Sequence, residues 1–271
     1  MKNIGIISDL HLDHYNFEFT DLMKDQINRL NDLRTKEGKG IIDLLVVAGD
    51  ISDNHIRSIK YLESISKFIK VKAVLGNHDM YYTDKSIINL IEEFDKTEFS
   101  LYTNPIQSEN TVIIGDTGWH DNTVYKGRTR YQEDRHDVEY KRLNKGGLSD
   151  KELSLFFKNR MESILNRYKH NNCIPVTHYA PHPSLVRSKE EPISNIFGNS
   201  YGHKLYKKFS IKQAIYGHTH GRGVKAVDKI EYITSSLGYK HEYEMGDLYL
   251  NGFIRESVYS VFMDNLTIID I

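Results

Sequence analysis

Five short groups of side chains in this 271-residue sequence have the types and spacing that chemistry on a polar ligand requires. They are Asp9-Leu10-His11; Gly49-Asp50, with Asp53 three residues on; Gly76-Asn77-His78-Asp79; His178; and Gly217-His218-Thr219-His220. Together they offer two carboxylates, one asparagine carbonyl and four imidazoles as cation ligands: Asp9, Asp50, Asn77, His11, His178, His218 and His220. Seven donors exceed what one tetrahedral ion takes and suit two divalent ions that share a bridging carboxylate. Oxygen and nitrogen donors without sulfur point to manganese first, with iron or zinc as alternatives. Two cations about 3.5–4 Å apart can clamp a phosphate and activate water between them. On an extended backbone, Asp-x-His and His-x-His would each aim both side chains the same way, toward one metal centre.

The elements that must position these groups are short buried strands. Gly5-Ile6-Ile7-Ser8 leads into Asp9, and Leu44-Leu45-Val46-Val47-Ala48 into Gly49-Asp50. Ala73-Val74-Leu75 precedes Gly76, Ile174-Pro175-Val176-Thr177 precedes His178, and Ala214-Ile215-Tyr216 precedes Gly217. In α/β sheets the carboxyl ends of the strands converge on one rim, where ligands bind. Strands are expected at 2–8, 41–48, 72–75, 111–116, 174–177, 214–216 and 231–234. The tail, 231–234 and 257–270, reads as hairpin material with a turn at Asp264-Asn265. Helical spacing of apolar residues marks 19–37, 56–70 and 85–94. A helix over 149–169 has Ser149 as N-cap and Glu152 in the capping-box position. Two stretches lack a period, 119–147 and 181–201, and read as long loops. No repeat or linker interrupts the chain, so a single domain over 1–271 is expected, with a variable insertion at about 119–147.

Composition narrows the function classes. Lys and Arg total 36 against 37 Asp and Glu, for a formal net charge of −1. A dedicated nucleic-acid coat would carry a basic face, so nucleic acid is an unfavoured partner. The single cysteine, Cys173, rules out a disulfide framework and a thiolate metal site, and reads as a small buried hydrophobe. The N-terminal segment lacks the pattern of a signal peptide, and no apolar run is long enough to span a bilayer; a cytoplasmic protein without a membrane partner is expected.

In order and spacing, these motifs resemble those of the calcineurin-like metallophosphoesterase superfamily, over residues 9 to about 239. The resemblance implies an α/β fold of two mixed β-sheets packed as a sandwich and flanked by helices. It also implies a division of the ligands. Asp9, His11, Asp50 and His220 would hold one metal; Asp50 would bridge to a second, completed by Asn77, His178 and His218. His78 would act on the substrate phosphate or protonate the leaving oxygen, Asp79 would orient His78, and Asp53 would support the site from behind. Thr117-Gly118-Trp119, His178-Tyr179-Ala180-Pro181 and Gly238-Tyr239 resemble a bacterial and phage group of small soluble phosphoesterases. That group often has a second histidine where Tyr179 stands.

The expected activity is metal-dependent hydrolysis of a phosphate mono- or diester in a small phosphorylated molecule or nucleotide. A protein serine/threonine phosphatase and a nuclease are alternatives on the same frame, and a non-catalytic scaffold would be expected to have lost ligands. Of the other histidines, His14, His55, His170, His203 and His241 carry no expected role, and His120, His136 and His182 are marginal. Arg128, Arg130 and Arg135 alternate with Glu133, Asp134 and Asp137 and read as a solvated, self-neutralised loop. Tyr125, Tyr131 and Tyr140 could stack on a base or pack the loop down.

Overall fold

Runs rich in Val, Ile and Leu, too short for helices, form the strands of the interior. The structure is a computed structural model that describes residues 3–14, 42–124, 143–186, 196–239 and 266–270. Ten strands are described: β1 (Asn3–Ile7), β2 (Leu44–Ala48), β3 (Lys70–Val74), β4 (Ile106–Ser108), β5 (Thr111–Asp116), β6 (Asn172–Thr177), β7 (Gln213–Tyr216), β8 (Arg222–Val227), β9 (Ile230–Ser235) and β10 (Thr267–Asp270). Four helices accompany them: α1 (His55–Ser66), α2 (Ile87–Phe94), α3 (Asp150–Arg167) and α4 (Tyr201–Lys208).

The strands form two mixed sheets, in the orders β10-β1-β2-β3 and β4-β5-β6-β7-β9-β8. Alternation along each strand feeds three apolar layers. Between the sheets, Ile4, Ile6, Leu44, Val46 and Val74 face Ile113, Ile174, Val176, Ile215 and Ile233. On the outer face of the first sheet, Ile7, Leu45, Val47 and Ala73 pack with Tyr61, Leu62 and Ile65 of α1 and Leu90, Ile91 and Phe94 of α2. The second sheet lays Val112, Ile114, Ala214 and Tyr216 against Met161, Ile164 and Leu165 of α3 and Leu205 and Tyr206 of α4. The α/β sandwich flanked by helices is therefore present. Burial of Cys173 within this last layer fits its reading as a small hydrophobe.

Register sets the site. β1, β2 and β3 run parallel, with Ile7 opposite Val47 and Ala48 opposite Val74, so their carboxyl ends share one rim. In the second sheet β6 and β7 pair Thr177 with Tyr216, which brings His178 beside Gly217. Ser8 N–H donates to Ser235 O across the two sheets, and Asp9 N–H to Gly49 O and Gly217 N–H to His178 O tie neighbouring strand ends within each, all at 3.0 Å.

Several expectations shift. The helix expected over 56–70 ends at Ser66; Lys70 already begins β3, and Phe68 is exposed rather than on the buried face. A hairpin forms earlier than expected, between β8 and β9, with Asp228 and Lys229 at φ 47° and 68° in its turn. The helix over 19–37 and the turn at Asp264-Asn265 lie outside the described residues, as do 125–142 of the insertion with its arginines, tyrosines and His136. The start of that insertion is interior: Trp119 is fully buried, and its indole N–H donates to Asp150 at 3.1 Å. The capping box at the start of α3 is present, with Ser149 and Glu152 each accepting from the other's backbone.

Candidate metal centre

All seven expected ligands lie at the joined rims, six of them in two groups of convergent donors and Asn77 beside the second. Asp9, His11 and His220 form one and Asp50, His178 and His218 the other, each with ligand atoms within 4.8 Å of one another. In the second group, His178 Nε2 stands 3.1 Å from both Asn77 Oδ1 and His218 Nδ1, and 3.2 Å from Asp50 Oδ2. In the first, His11 Nε2 is 3.1 Å from His220 Nε2, and His220 Nε2 is 3.8 Å from Asp9 Oδ1. Asp50 Oδ2 is common ground: besides His178, it lies 3.9 Å from His11 Nε2. Its other oxygen accepts from His78 N–H at 2.8 Å, which leaves Oδ2 turned toward both groups.

The local backbone is unusual in the same places. Asp9, His11, Asp50, His218 and His220 all have positive φ, at 53°, 43°, 53°, 65° and 47°. A left-handed residue with a Cβ is strained, and such strain clusters where function over-determines geometry. The extended alternation expected for the two paired motifs is thus replaced by tight left-handed turns. Asp9 and His11 still share a group, whereas His218 and His220 part to different ones. Two glycines let these turns pack together. A Cβ on Gly76 would collide with the Asp50 carboxylate, and one on Gly49, whose φ is +85°, would reach His178 Nδ1 at 2.5 Å.

The donor set fits a pair of cations. His178 Nδ1 donates to Ala48 O at 2.9 Å, so a ring that has lost its second proton to a cation would present its Nε2 lone pair where three other polar atoms also point. One proton there could satisfy only one neighbour, whereas a cation would satisfy all of them. Burial pushes His11 and His218 well below the ordinary histidine value, leaving neutral, ligand-ready imidazoles. Burial opposes ionisation of Asp50, but His178, His78 and His11 beside it outweigh that and hold it well below the carboxylate range. Burial likewise opposes protonation of His178, yet Asp50 beside it raises it to about 9, so a proton on that ring stands where a cation would compete for the same carboxylate.

The Asp79 carboxylate, expected to orient His78, is turned to the loop amides. Its two oxygens accept from the backbone N–H groups of Gly76, Asp50, Ile51 and Ser52 at 2.7, 3.0, 3.0 and 3.1 Å, and from the Ser58 hydroxyl. It clasps the two ligand-bearing loops to each other and to α1. Burial and the nearby Asp50 push Asp79 up to about 6 in spite of those donors. The carboxylate that reaches His78 is Asp53, with Oδ1 2.7 Å from Nδ1. Burial opposes Asp53's ionisation, but hydrogen bonds from His14 and His78 hold it below the ordinary carboxylate range. Two neighbours lay outside the expected set. His14 Nε2 sits 3.2 Å from Asp53 Oδ2, and the Tyr239 hydroxyl 3.1 Å from His78 Nε2. Nothing marks a lone His14 in the sequence, and Gly238-Tyr239 carried only a resemblance. His120 faces Asn122 and Asp150, and His182 caps the turn at Ser184; neither belongs to the donor groups.

A two-sheet α/β sandwich with Asp, Asn and His donors converging at its joined rims is the architecture of a metal-dependent phosphoesterase. The sequence model of the calcineurin-like phosphoesterase family matches residues 2–222, and the chain belongs to that family. No curated protein matches it significantly. Among solved structures, it is similar to the phosphopantetheinyl hydrolase PptH from Mycobacterium tuberculosis at 16% identity and a TM-score of 0.67, over 91% of this chain and 93% of that one. It is also similar to a dimetal phosphatase from Danio rerio at 18% identity and a TM-score of 0.48, over 86% of each chain. At such identities the first likeness speaks for the fold alone. Among the described residues, no helix is long and apolar enough to cross a membrane.

Proposed function

We propose that this chain hydrolyses phosphate mono- or diesters of a small phosphorylated molecule or nucleotide through a dinuclear centre. The observation that carries this reading is Asp50 Oδ2, which lies 3.2 Å from a donor of one group and 3.9 Å from a donor of the other. Asp9, His11, Asp50 and His220 would hold one ion, and Asp50, Asn77, His178 and His218 the other, with manganese first and iron or zinc as alternatives. Two such ions supply Lewis acidity toward the phosphoryl oxygens and an activated water. The chain's own residues do the rest. Backbone N–H groups of His78 and His218 donate to Asp50 and Asp9 at 2.8 and 2.9 Å and fix which carboxylate oxygens face the centre. Asp53 holds the His78 ring in one orientation, so that Nε2 is presented toward the ester and its leaving oxygen.

The near-neutral charge favours a small substrate over a nucleic acid, and a cytoplasmic setting accompanies the reading. Metal-stripped protein restored with Mn²⁺ should turn over aryl phosphate mono- or diesters, and Asp50→Asn should abolish that turnover. Full activity in Asp50→Asn would overturn the dinuclear mechanism.

A further inference from the structure

Tyr239 is placed as no bystander would be. Its ring stacks on His11 with centroids 4.3 Å apart and planes 27° from parallel, and it meets the rings of His220 and His14 at 4.9 and 5.1 Å. Its hydroxyl stands 3.1 Å from His78 Nε2. The segment that carries it is tied to the ligand-bearing loop: Leu237 N–H donates to Ser8 O and Gly238 N–H to Asp9 O, both at 2.8 Å. Gly238 itself turns at φ +76°, which lifts the tyrosine over the imidazoles. The tyrosine is partly buried.

We propose that the Tyr239 hydroxyl is a second phosphoryl contact, a donor beside His78 for one oxygen of the ester. This rests on the hydrolytic reading of the site and assigns it a further substrate-binding residue. His78 Nδ1 faces Asp53 and Nε2 faces the tyrosine hydroxyl, so the hydroxyl and the outer edge of the His78 ring border the same spot. A phosphoryl oxygen that reaches Nε2 comes within range of that same hydroxyl. A phenol turns freely about its C–O bond, so the hydroxyl can redirect its proton to the anionic oxygen while the ring keeps its stack. The ring's three imidazole neighbours and the two backbone ties hold the donor in place before substrate arrives, which limits the entropy lost on binding.

The test is inorganic phosphate binding to the Mn²⁺-loaded full chain, by calorimetry, in wild type and Tyr239→Phe. The phenylalanine keeps the stack on His11 and removes only the hydroxyl. Phosphate affinity should fall about tenfold or more, the worth of one hydrogen bond to a charged group, with metal content and Tm unchanged. Unchanged phosphate affinity would overturn the proposal. So would lowered metal content in the variant, which would assign the tyrosine to holding His11 instead. If the wild type hydrolyses no aryl ester, the hydrolytic reading fails, and the phosphate comparison still decides the role of Tyr239.

Discussion

Replacing Asp79 by Asn separates the structural clasp seen here from the orienting role that the motif suggests. Oδ1 of Asp79 accepts from Ile51 N–H, Ser52 N–H and the Ser58 hydroxyl, while Oδ2 accepts from Gly76 N–H and Asp50 N–H. An asparagine keeps one oxygen and turns an NH2 group toward two buried N–H donors that then lack an acceptor. Each buried unsatisfied donor costs about 1–3 kcal/mol, so the substitution should cost about 3 kcal/mol, within a total stability of about 5–15 kcal/mol. For a chain of this length that corresponds to a Tm lower by about 5–10 °C. Thermal and urea unfolding of wild type and Asp79→Asn at pH 8, both metal-free, would measure it. A Tm within a degree of wild type, together with a collapse of kcat, would refute the clasp and return Asp79 to the side of His78.

Three further outcomes follow from the same geometry. Asp53→Asn should leave metal content unchanged and lower kcat about 10–100-fold, because the His78 ring loses the carboxylate that fixes it; parallel metal analysis and steady-state kinetics would check both halves. Gly76→Ala should abolish tight metal binding, since its Cβ collides with the Asp50 carboxylate, and equilibrium dialysis with Mn²⁺ reads this directly. Asp150 supplies a pH dependence: burial raises it, but hydrogen bonds and charges from His120 and Lys145 outweigh burial and hold it below 3.8. A depressed carboxylate contributes stability above its unfolded value that is lost as pH falls through the folded one. The Tm gap between wild type and Asp150→Asn should therefore be full at pH 7 and shrink below about pH 4.

Much of the frame was legible because it rests on local patterns. Buried runs such as Leu44 to Ala48 have no polar face to show the solvent, so each reads as an interior strand, and the polar residue ending it stands out. The capping box at Ser149 and Glu152 is likewise written within four residues. What escaped was non-local or conformational. β10 pairs antiparallel with β1 from the other end of the chain, and nothing in either segment names the partner. The left-handed backbone at Asp9, His11, His218 and His220 contradicts the propensity of non-glycine residues, so spacing alone suggested extended strands. Asp79 sits beside His78 in sequence, yet its carboxylate turns back to the loop amides, and the partner of His78 comes from 25 positions earlier. Tyr239 and His14 join the site through contacts 161 and 39 positions away in sequence, distances over which no periodic signal runs.

The most direct test of the account is the stoichiometry and magnetic coupling of Mn²⁺ in the reconstituted chain, by metal analysis and electron paramagnetic resonance. A dinuclear centre bridged by Asp50 predicts two ions per chain and an exchange-coupled spectrum that Asp50→Asn converts to isolated ions or none. One ion per chain, or two that remain uncoupled in the wild type, would contradict it.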